Sequence, residues 1–200
     1  MAIVSVAPTP ALRAARFADD EGLDADGLRR AASASRALAA GALPRRARVL
    51  VDGSMRARQT ARALGLGALA GEAGVQVDPA LRDLDVGAWR GRDLAELSLD
   101  ELRRWHEEPD MVPPGGESRI DLCARVEAWL GEIGEAEHVI AVSHPAVVRA
   151  VLLHALGCPQ EVFWRIDVAP LTATLLHRPA AGGNPGSPTH WTLTHACRPL

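Results

Sequence analysis

The sequence predicts an α/β protein, a three-layer sandwich in which a mostly parallel central sheet carries helices on both faces. Short apolar, β-branched runs at residues 2–6, 48–51 and 138–143 are typical of buried parallel strands. Each run is followed by a loop and a helical pattern, as parallel strands require. Two late segments, 171–177 and 190–195, alternate like a closing antiparallel pair.

Apolar periodicity and cap residues locate the helices between these strands. The helices are predicted at residues 24–40, 55–64, 94–107, 119–131 and 146–156. Asp24 is placed to cap the first helix and Ser118 the fourth, because their side-chain oxygens can accept a hydrogen bond from a free backbone N–H. A short strand is expected at 75–77, and the loop of the closing hairpin at 180–188.

The composition suits one α/β domain over residues 1–200. Of these residues 48% are hydrophobic and 24% are charged, which is enough apolar material for a sizeable core. The net charge of −3 lacks the basic footprint of a nucleic-acid-binding domain. No window approaches the roughly 20 apolar residues of a membrane span, and no secretory leader pattern opens the chain. We therefore expect a cytoplasmic protein with neither a nucleic-acid nor a membrane partner.

Cysteine usage predicts neither a metal centre nor a disulfide. Cys123, Cys158 and Cys197 are odd in number, widely separated and without Cys-x-x-Cys spacing. Cys123 falls in the amphipathic pattern of the fourth helix and is expected to be a small core residue. No cofactor is predicted.

Residues 88–117 are predicted to form an inserted segment over the carboxyl edge of the sheet. A helical stretch is followed there by three prolines and a glycine pair. Such a segment would act as a lid and set specificity. Trp89 and Trp105 are expected to pack within it, whereas Trp164 and Trp191 are expected in the core.

Two residues are placed to bind an anion. His144 directly follows the run 138–143 and should lie at the carboxyl end of a strand, the usual ligand edge of an open α/β sheet. Arg56 falls in the first turn of a helix, where backbone N–H groups and the helix dipole favour negative charge. Its planar guanidinium matches a phosphate or a carboxylate. Both side chains are expected to face one crevice.

Five motifs, in order along the chain, resemble those of the histidine phosphatase superfamily in its phosphoglycerate-mutase-like branch. Residues 52–61 read Asp-Gly-Ser-Met-Arg-Ala-Arg-Gln-Thr-Ala and resemble the family's Ser-Pro-Leu-x-Arg-Ala-x-Gln-Thr-Ala. Residues 81–91 resemble Leu-x-Glu-x-x-Phe-Gly-x-Trp-Glu-Gly, and residues 23–31 resemble Leu-Thr-x-x-Gly-x-x-Gln-Ala. Gly-Gly-Glu-Ser at 115–118 and Val-Ser-His at 142–144 recur as well. The resemblance implies a phosphoglycerate-mutase-like fold.

The resemblance also implies a chemistry whose first group is replaced in this chain. In the family a neutral histidine attacks phosphorus, arginines and a second histidine neutralise the phosphate oxygens, and a carboxylic acid protonates the leaving alkoxide. Ala7, Pro8 and Thr9 stand where the family has its arginine, its nucleophilic histidine and a glycine. No histidine precedes His106, so no shift of register supplies the nucleophile.

Of the other positions in the family pattern, some carry a different residue in this chain and some keep the family residue or a similar one. Ala14 stands near the family's phosphate-binding asparagine, and Pro145 replaces a glycine and removes a backbone N–H. The residues retained are Arg56, His144 and Asp83, with Asp83 in place of a glutamate. Asp85 competes with Asp83 for that acidic role.

These residues predict a function with an open alternative. The losses predict a catalytically inactive protein of the histidine phosphatase fold, a pseudophosphatase that binds a small anionic ligand or a protein partner. The alternative is an enzyme with a repurposed pocket that acts on a small carboxylate or phosphate substrate through His144, Arg56 and Asp83. Residual phosphatase or phosphoglycerate mutase activity is the least expected outcome. One surface strand could support dimerisation, so a homodimer stays an open alternative.

Overall fold

The molecule is built on a six-stranded sheet with the strand order β3-β2-β4-β1-β5-β6. The computed structural model describes residues 1–37, 43, 46–134, 137–178 and 190–200. In chain order the strands are β1 (Ala2–Ser5), β2 (Arg48–Val51), β3 (Val75–Val77), β4 (Val139–Ser143), β5 (Thr172–His177) and β6 (Thr192–Pro199). Strands β1 to β4 are parallel, and β5 and β6 close one side of the sheet in antiparallel pairing.

Helices cover both faces of this sheet. In the described part of the chain they are α1 (Pro10–Arg13), α2 (Ala25–Ala37), α3 (Met55–Ala63), α4 (Leu99–Glu107), α5 (Arg119–Glu132) and α6 (Pro145–Leu156). Because successive strand residues point to opposite faces, Ile3 of β1 packs in the core beneath α5 and α6, and Val4 in the core beneath α2 and α3. The predicted α/β sandwich is confirmed.

The start of α2 agrees with the sequence prediction. The Asp24 carboxylate accepts a hydrogen bond from the Gly27 backbone N–H at 2.9 Å, as a helix cap does. The predicted helix extends to residue 40, but residues 38–42 lie outside the described part of the chain, as does the predicted hairpin loop at 180–188.

The helix expected at 94–107 is two separate elements. A short 3₁₀ turn covers Leu94–Glu96, and α4 begins after Ser98. The Ser98 hydroxyl accepts from the Glu101 N–H, and the Glu101 carboxylate accepts from the Ser98 N–H, which is a capping box. A cap of this kind starts a new helix, so the preceding turn cannot continue into α4.

Strand β6 lies further along the chain than the expected range 190–195. Its register against β5 shifts near Leu175, and Cys197 has a φ of 48°, in the left-handed region. These irregularities break the alternation of side chains by which a strand is recognised in sequence. Pro199 is tolerated in β6 because the strand lies at the edge of the sheet.

Part of the 88–117 segment is attached to the loop after α1. Gly91 donates to the carbonyl of Phe17, and Phe17 donates to the carbonyl of Arg92. The Phe17 ring lies against Trp89 and Trp105, with centroids 5.6 and 5.5 Å apart. The expected packing role of these two tryptophans agrees with this cluster, whereas the action of the segment as a lid stays a prediction.

None of the helices in the described residues has the length and the apolar character that crossing a bilayer would require.

Candidate functional site

A cavity of about 720 Å³ opens at the carboxyl edge of the sheet. It lies where β1 and β4 end side by side, so that Ala7 and His144 both line it. This is the edge at which parallel α/β sheets bind their ligands. The other polar lining consists of five arginines and five aspartates: Arg16, Arg56, Arg82, Arg90, Arg149, Asp19, Asp20, Asp83, Asp85 and Asp167, with Ser5, Thr9 and Ser54.

Arg56 is held in the first turn of α3. Ser54 caps this helix by accepting a hydrogen bond from the Ala57 N–H at 3.3 Å. The arginine is 8% exposed, and each of its guanidinium nitrogens donates to the protein. Nε donates to His144 Nδ1 at 3.2 Å, Nη1 to the Asp19 carbonyl at 2.7 Å and Nη2 to Asp83 Oδ2 at 3.2 Å. Each nitrogen of the guanidinium therefore makes one hydrogen bond to a protein acceptor.

His144 is 1% exposed, and both of its ring nitrogens have partners. Its Nε2 lies 2.9 Å from Asp52 Oδ2, while its Nδ1 faces Nε of Arg56. Because an arginine nitrogen only donates, Nδ1 must be unprotonated in this arrangement, and the proton lies on Nε2 and is donated to Asp52. We assign a neutral imidazole of the Nε2–H form on this basis.

Asp52 belongs to this site, although the sequence interpretation placed it in a turn. It follows β2, its side chain is 6% exposed, and its Oδ1 accepts from the backbone and the hydroxyl of Ser54 at 3.1 and 2.8 Å. Burial raises the pKa of the Asp52 carboxyl, but the hydrogen bond from His144 and the two bonds from Ser54 outweigh it, so the pKa lies below its usual value. Its position corresponds to a serine in the family motif, and this difference was visible in the sequence.

The choice between Asp83 and Asp85 is decided by their partners. Asp83 Oδ2 lies 3.2 Å from Nη2 of Arg56 and 3.5 Å from Nδ1 of His144. Asp85 Oδ1 instead accepts from the Gly87 N–H at 2.8 Å and from Arg90 at 2.7 Å. Asp83 therefore joins Arg56 and His144, whereas Asp85 holds a turn beside them.

The exit of β1 is tied into the helices on one face of the sheet. The Ala7 N–H donates to the Thr60 hydroxyl at 3.0 Å, and Thr9 caps α1. Pro8 is buried, and its carbonyl oxygen lies where a Cβ on Gly27 would stand. Ala7 and Thr9 line the cavity and Pro8 does not.

Two other positions singled out in the sequence lie at helix ends. Ala14 caps the carboxyl end of α1 and is not part of the cavity lining. Pro145 is the first residue of α6 and does line the cavity. Of the seven histidines, all within the described residues, His144 is the one that lines the cavity.

Arg149 and Trp164 form a further part of the cavity wall. Arg149 Nε donates to the Ile166 carbonyl at 2.8 Å, and its guanidinium lies 5.3 Å from the Trp164 ring centroid. Burial lowers the pKa of Arg149, against a smaller raising effect of Asp167 and Asp83. Trp164 is partly buried and packs against the core, as expected, and it also lines the cavity. Arg149 could have been found in sequence as the one arginine in the apolar run of α6.

Ser118 has the capping role expected from the sequence, and Glu117 beside it has a structural role as well. Ser118 begins α5 in a capping box with Asp121. Glu117 accepts from the Asp85 N–H at 3.1 Å and from Arg125 at 2.6 Å. In the described part of the chain, no group of three or more histidine, cysteine or acidic side chains is arranged to hold a metal ion.

Comparison with known proteins identifies the family. The model of the histidine phosphatase superfamily (branch 1) matches residues 11–184. The chain belongs to this superfamily. Phosphoserine phosphatase 1 of Hydrogenobacter thermophilus is 30% identical over 102 residues, which are 48% of this chain and 48% of that protein. Glucosyl-3-phosphoglycerate phosphatase of Mycobacterium tuberculosis is 30% identical over 93 residues, 40% of this chain and 42% of that protein. The matches thus span about half or less of these curated relatives.

Solved structures resemble the fold along its whole length. Mycobacterial hydrolase 1 superposes with a TM-score of 0.82 at 23% identity, covering 100% of this chain and 99% of that one. A mycobacterial glucosyl-3-phosphoglycerate phosphatase complexed with VO₃ superposes with a TM-score of 0.78 at 22% identity, covering 99% and 98% of the two chains. A mutant phosphoserine phosphatase of Entamoeba histolytica in complex with phosphoserine has a TM-score of 0.76 at 17% identity, with 97% and 94% covered. The superfamily fold is therefore shown for this chain.

Proposed function

We propose that this protein binds a small anionic ligand in the cavity and does not hydrolyse phosphomonoesters through a phosphohistidine. The observation that carries the proposal is the mutual bonding of Arg56 and His144, which Asp83 and Asp52 complete. The side chains that would clamp a phosphoryl group are thus satisfied by one another. A phosphate dianion would have to displace Asp83 from Arg56 before it could bind there.

The position of the nucleophile supports the same function. Phosphoryl transfer to an enzyme needs an accessible nucleophile in line with phosphorus. Pro8 has no nucleophilic side chain, and its backbone nitrogen carries no proton. His144 is 1% exposed, and its unprotonated Nδ1 is covered by Arg56.

The charge of the lining favours a ligand with a low negative charge. Five arginines and five aspartates line the cavity, so their formal charges cancel. Four of the arginines lie within 3.5 Å of a carboxylate of the protein: Arg16, Arg56, Arg82 and Arg90. Because these four arginines already pair with carboxylates of the protein, few positive charges are free to bind a dianion, whereas a single carboxylate needs one free arginine.

The relatives make an anionic ligand with a carboxylate a reasonable class. Phosphoserine and glucosyl-3-phosphoglycerate, the molecules named with two of them, each carry a carboxylate beside the phosphate ester. The Entamoeba phosphatase in complex with phosphoserine is a mutant in which a histidine is replaced by alanine. Binding of such a ligand on this fold therefore does not depend on that histidine.

A hydrolysis assay tests the loss of activity. The wild-type protein should not hydrolyse p-nitrophenyl phosphate, phosphoserine or phosphoglycerates above the rate of an Arg56→Ala, His144→Ala double variant. Restoring the family residues through Ala7→Arg with Pro8→His provides a positive comparison, in which some hydrolysis is expected. Turnover by the wild type that the double variant abolishes would overturn the proposal.

A second candidate function has one observation in its favour. The Asp52 carboxylate holds the His144 imidazole at 2.9 Å, and an acid and imidazole in this relation form a general base in many enzymes. If a ligand drew Arg56 away, Nδ1 would become free to accept a proton. An enzyme acting on a small anion through His144, Arg56 and Asp83 would lose its turnover in the same double variant, and equal turnover would exclude this candidate for the substrate tested.

A further inference from the structure

We propose that Arg149, together with the aromatic wall beside it, binds the carboxylate of a ligand whose body is apolar or aromatic. The inference rests on the proposed ligand-binding function and names the chemical class of the ligand. It concerns the wall of the cavity formed by α6 and residues 164–170, away from the paired Arg56.

Arg149 differs from the other arginines of the cavity in having no carboxylate partner. No acidic side chain of the described residues lies within 4.0 Å of its guanidinium, whereas the other four arginines of the lining are paired. Its Nε donates to the Ile166 carbonyl, and neither terminal nitrogen donates to an acceptor among the described residues. Two parallel N–H donors are therefore free to bind a carboxylate in the bidentate manner that arginine favours.

Aromatic rings hold this guanidinium in place. Its carbon lies 5.3 Å from the centroid of Trp164 and 5.7 Å from that of Phe163, distances at which a cation interacts with the ring face. The hydrogen bond to the Ile166 carbonyl fixes Nε as well. A ligand would thus meet an arginine that is already ordered, and little side-chain entropy would be lost on binding.

The surroundings of Arg149 select for an apolar body. Trp164 packs against Trp105 with ring centroids 4.7 Å apart, and both line the cavity together with Phe17, Val168 and Pro170. A planar or branched apolar group against these rings would add hydrophobic burial to the ion pair.

Asp167 limits the charge that this wall can accept. It lines the same cavity, and its charge acts on Arg149, although it is not within ion-pair distance. Arg149 can offset one negative charge of a ligand. A second negative charge on the same ligand would be repelled by Asp167 with no free arginine to offset it. A monocarboxylate therefore fits this wall better than a phosphate ester.

Calorimetric titration with two matched probes tests the inference. Phenylacetate and phenylacetamide share the aromatic body and differ in the charge. Phenylacetate should bind roughly tenfold or more tightly than the amide, the expected size for one charge-assisted pair. Arg149→Gln should remove this preference, whereas Arg165→Gln, at an exposed position in the neighbouring 3₁₀ turn, should keep it.

Two controls distinguish loss of the binding site from a folding defect. Arg149 packs on Phe163, so Arg149→Gln could disturb the wall, and thermal unfolding of each variant is measured alongside. Arg149→Lys keeps the charge but loses the fork, and should retain part of the preference for phenylacetate. Equal binding of the acid and the amide by the wild type, or an unchanged preference in Arg149→Gln, would overturn the inference.

The probes also separate this inference from the proposed function. Binding of inorganic phosphate with no binding of either aromatic probe would overturn the carboxylate site and leave a ligand-binding protein. Hydrolysis of p-nitrophenyl phosphate would overturn the proposed function, while a charge preference that depends on Arg149 would still stand.

Discussion

At the scale of single residues, the site is a connected chain of hydrogen bonds. Ser54 donates to Asp52, His144 donates to Asp52 through Nε2, and Arg56 donates to His144 and to Asp83. The carboxylates of Asp52 and Asp83 accept, Arg56 can only donate, and His144 accepts at Nδ1 and donates at Nε2. The identity of every member therefore constrains its neighbours.

Replacement of Asp52 by asparagine should break this chain. If the asparagine NH₂ group faced His144, two donors would meet, because Nε2 also carries a proton. If the imidazole proton moved to Nδ1 instead, it would face the Nε–H of Arg56. We expect Asp52→Asn to lower the free energy of unfolding at pH 7 by about 1.5–3 kcal/mol, the cost of a hydrogen bond to a charged group. Urea unfolding measures this change, and Asp110→Asn, at an exposed position, is the control.

The same residue predicts a pH dependence. Because the pKa of Asp52 is lowered in the folded protein, its ionised form stabilises the fold above the ordinary carboxyl pKa of about 4, and this contribution is lost as the pH falls through the folded value. The difference in stability between the wild type and Asp52→Asn should shrink below about pH 4. A constant difference from neutral pH down into this acidic range would contradict the assigned role.

At the scale of elements, the loop at 85–87 and the loop at 114–116 approach each other backbone to backbone. Ala88 donates to the Pro114 carbonyl at 2.8 Å, and Glu117 donates to the Asp85 carbonyl at 2.8 Å. A Cβ on Gly116 would overlap the Asp85 carbonyl oxygen and lie 3.0 Å from the Gly87 nitrogen. Gly116 thus allows the turn after Asp83 to pack against the start of α5.

Two glycine-to-alanine changes should therefore have opposite signs. Gly116→Ala should lower the free energy of unfolding by about 1–3 kcal/mol, because the two loops must separate. Gly131→Ala, in the helix α5 with nothing within 4 Å of its Cβ position, should raise it by about 0.5–1 kcal/mol. Chemical denaturation of both variants measures these changes. An unchanged free energy of unfolding in Gly116→Ala would contradict the close approach of the two loops.

At the scale of the complete fold, the cavity is assembled from distant parts of the chain. The exits of β1 and β4 form its floor, while Phe17, Trp105 and Trp164 form a wall from three separate segments. Phe17 connects these parts, since its ring touches Trp105 and its backbone pairs with residues 91–92. The cluster around it is small and separate from the two cores that cover the sheet.

Truncation of Phe17 should weaken this connection. Phe17→Ala removes a largely buried ring and should lower the free energy of unfolding by about 3 kcal/mol or more. Leu99→Ala, at a residue that is 87% exposed, should change it by no more than about 0.5 kcal/mol. Denaturant unfolding followed by tryptophan fluorescence would show both effects, and similar values for the two variants would contradict the role of Phe17.

Local sequence patterns were sufficient to locate most elements and the edge of the sheet at which the site lies. Strands and helices follow from periodicity and caps within a few residues, so the end of β4 just before His144 and the start of α3 just before Arg56 could be predicted without knowledge of the fold. The family motifs extended this local information to the arrangement of the sheet. The boundaries that failed, at α4 and β6, depend on a capping box and on an irregular pairing with β5.

The meeting of side chains, in contrast, depends on how the chain folds in three dimensions. Arg56 and His144 are 88 residues apart in the chain, and Asp52 and His144 are 92 apart. Such contacts are set by the order of the strands and by the packing of helices, which local patterns do not contain. For the same reason, only the tertiary structure determines that Asp83 rather than Asp85 contacts Arg56. It likewise places Arg149 on the cavity wall.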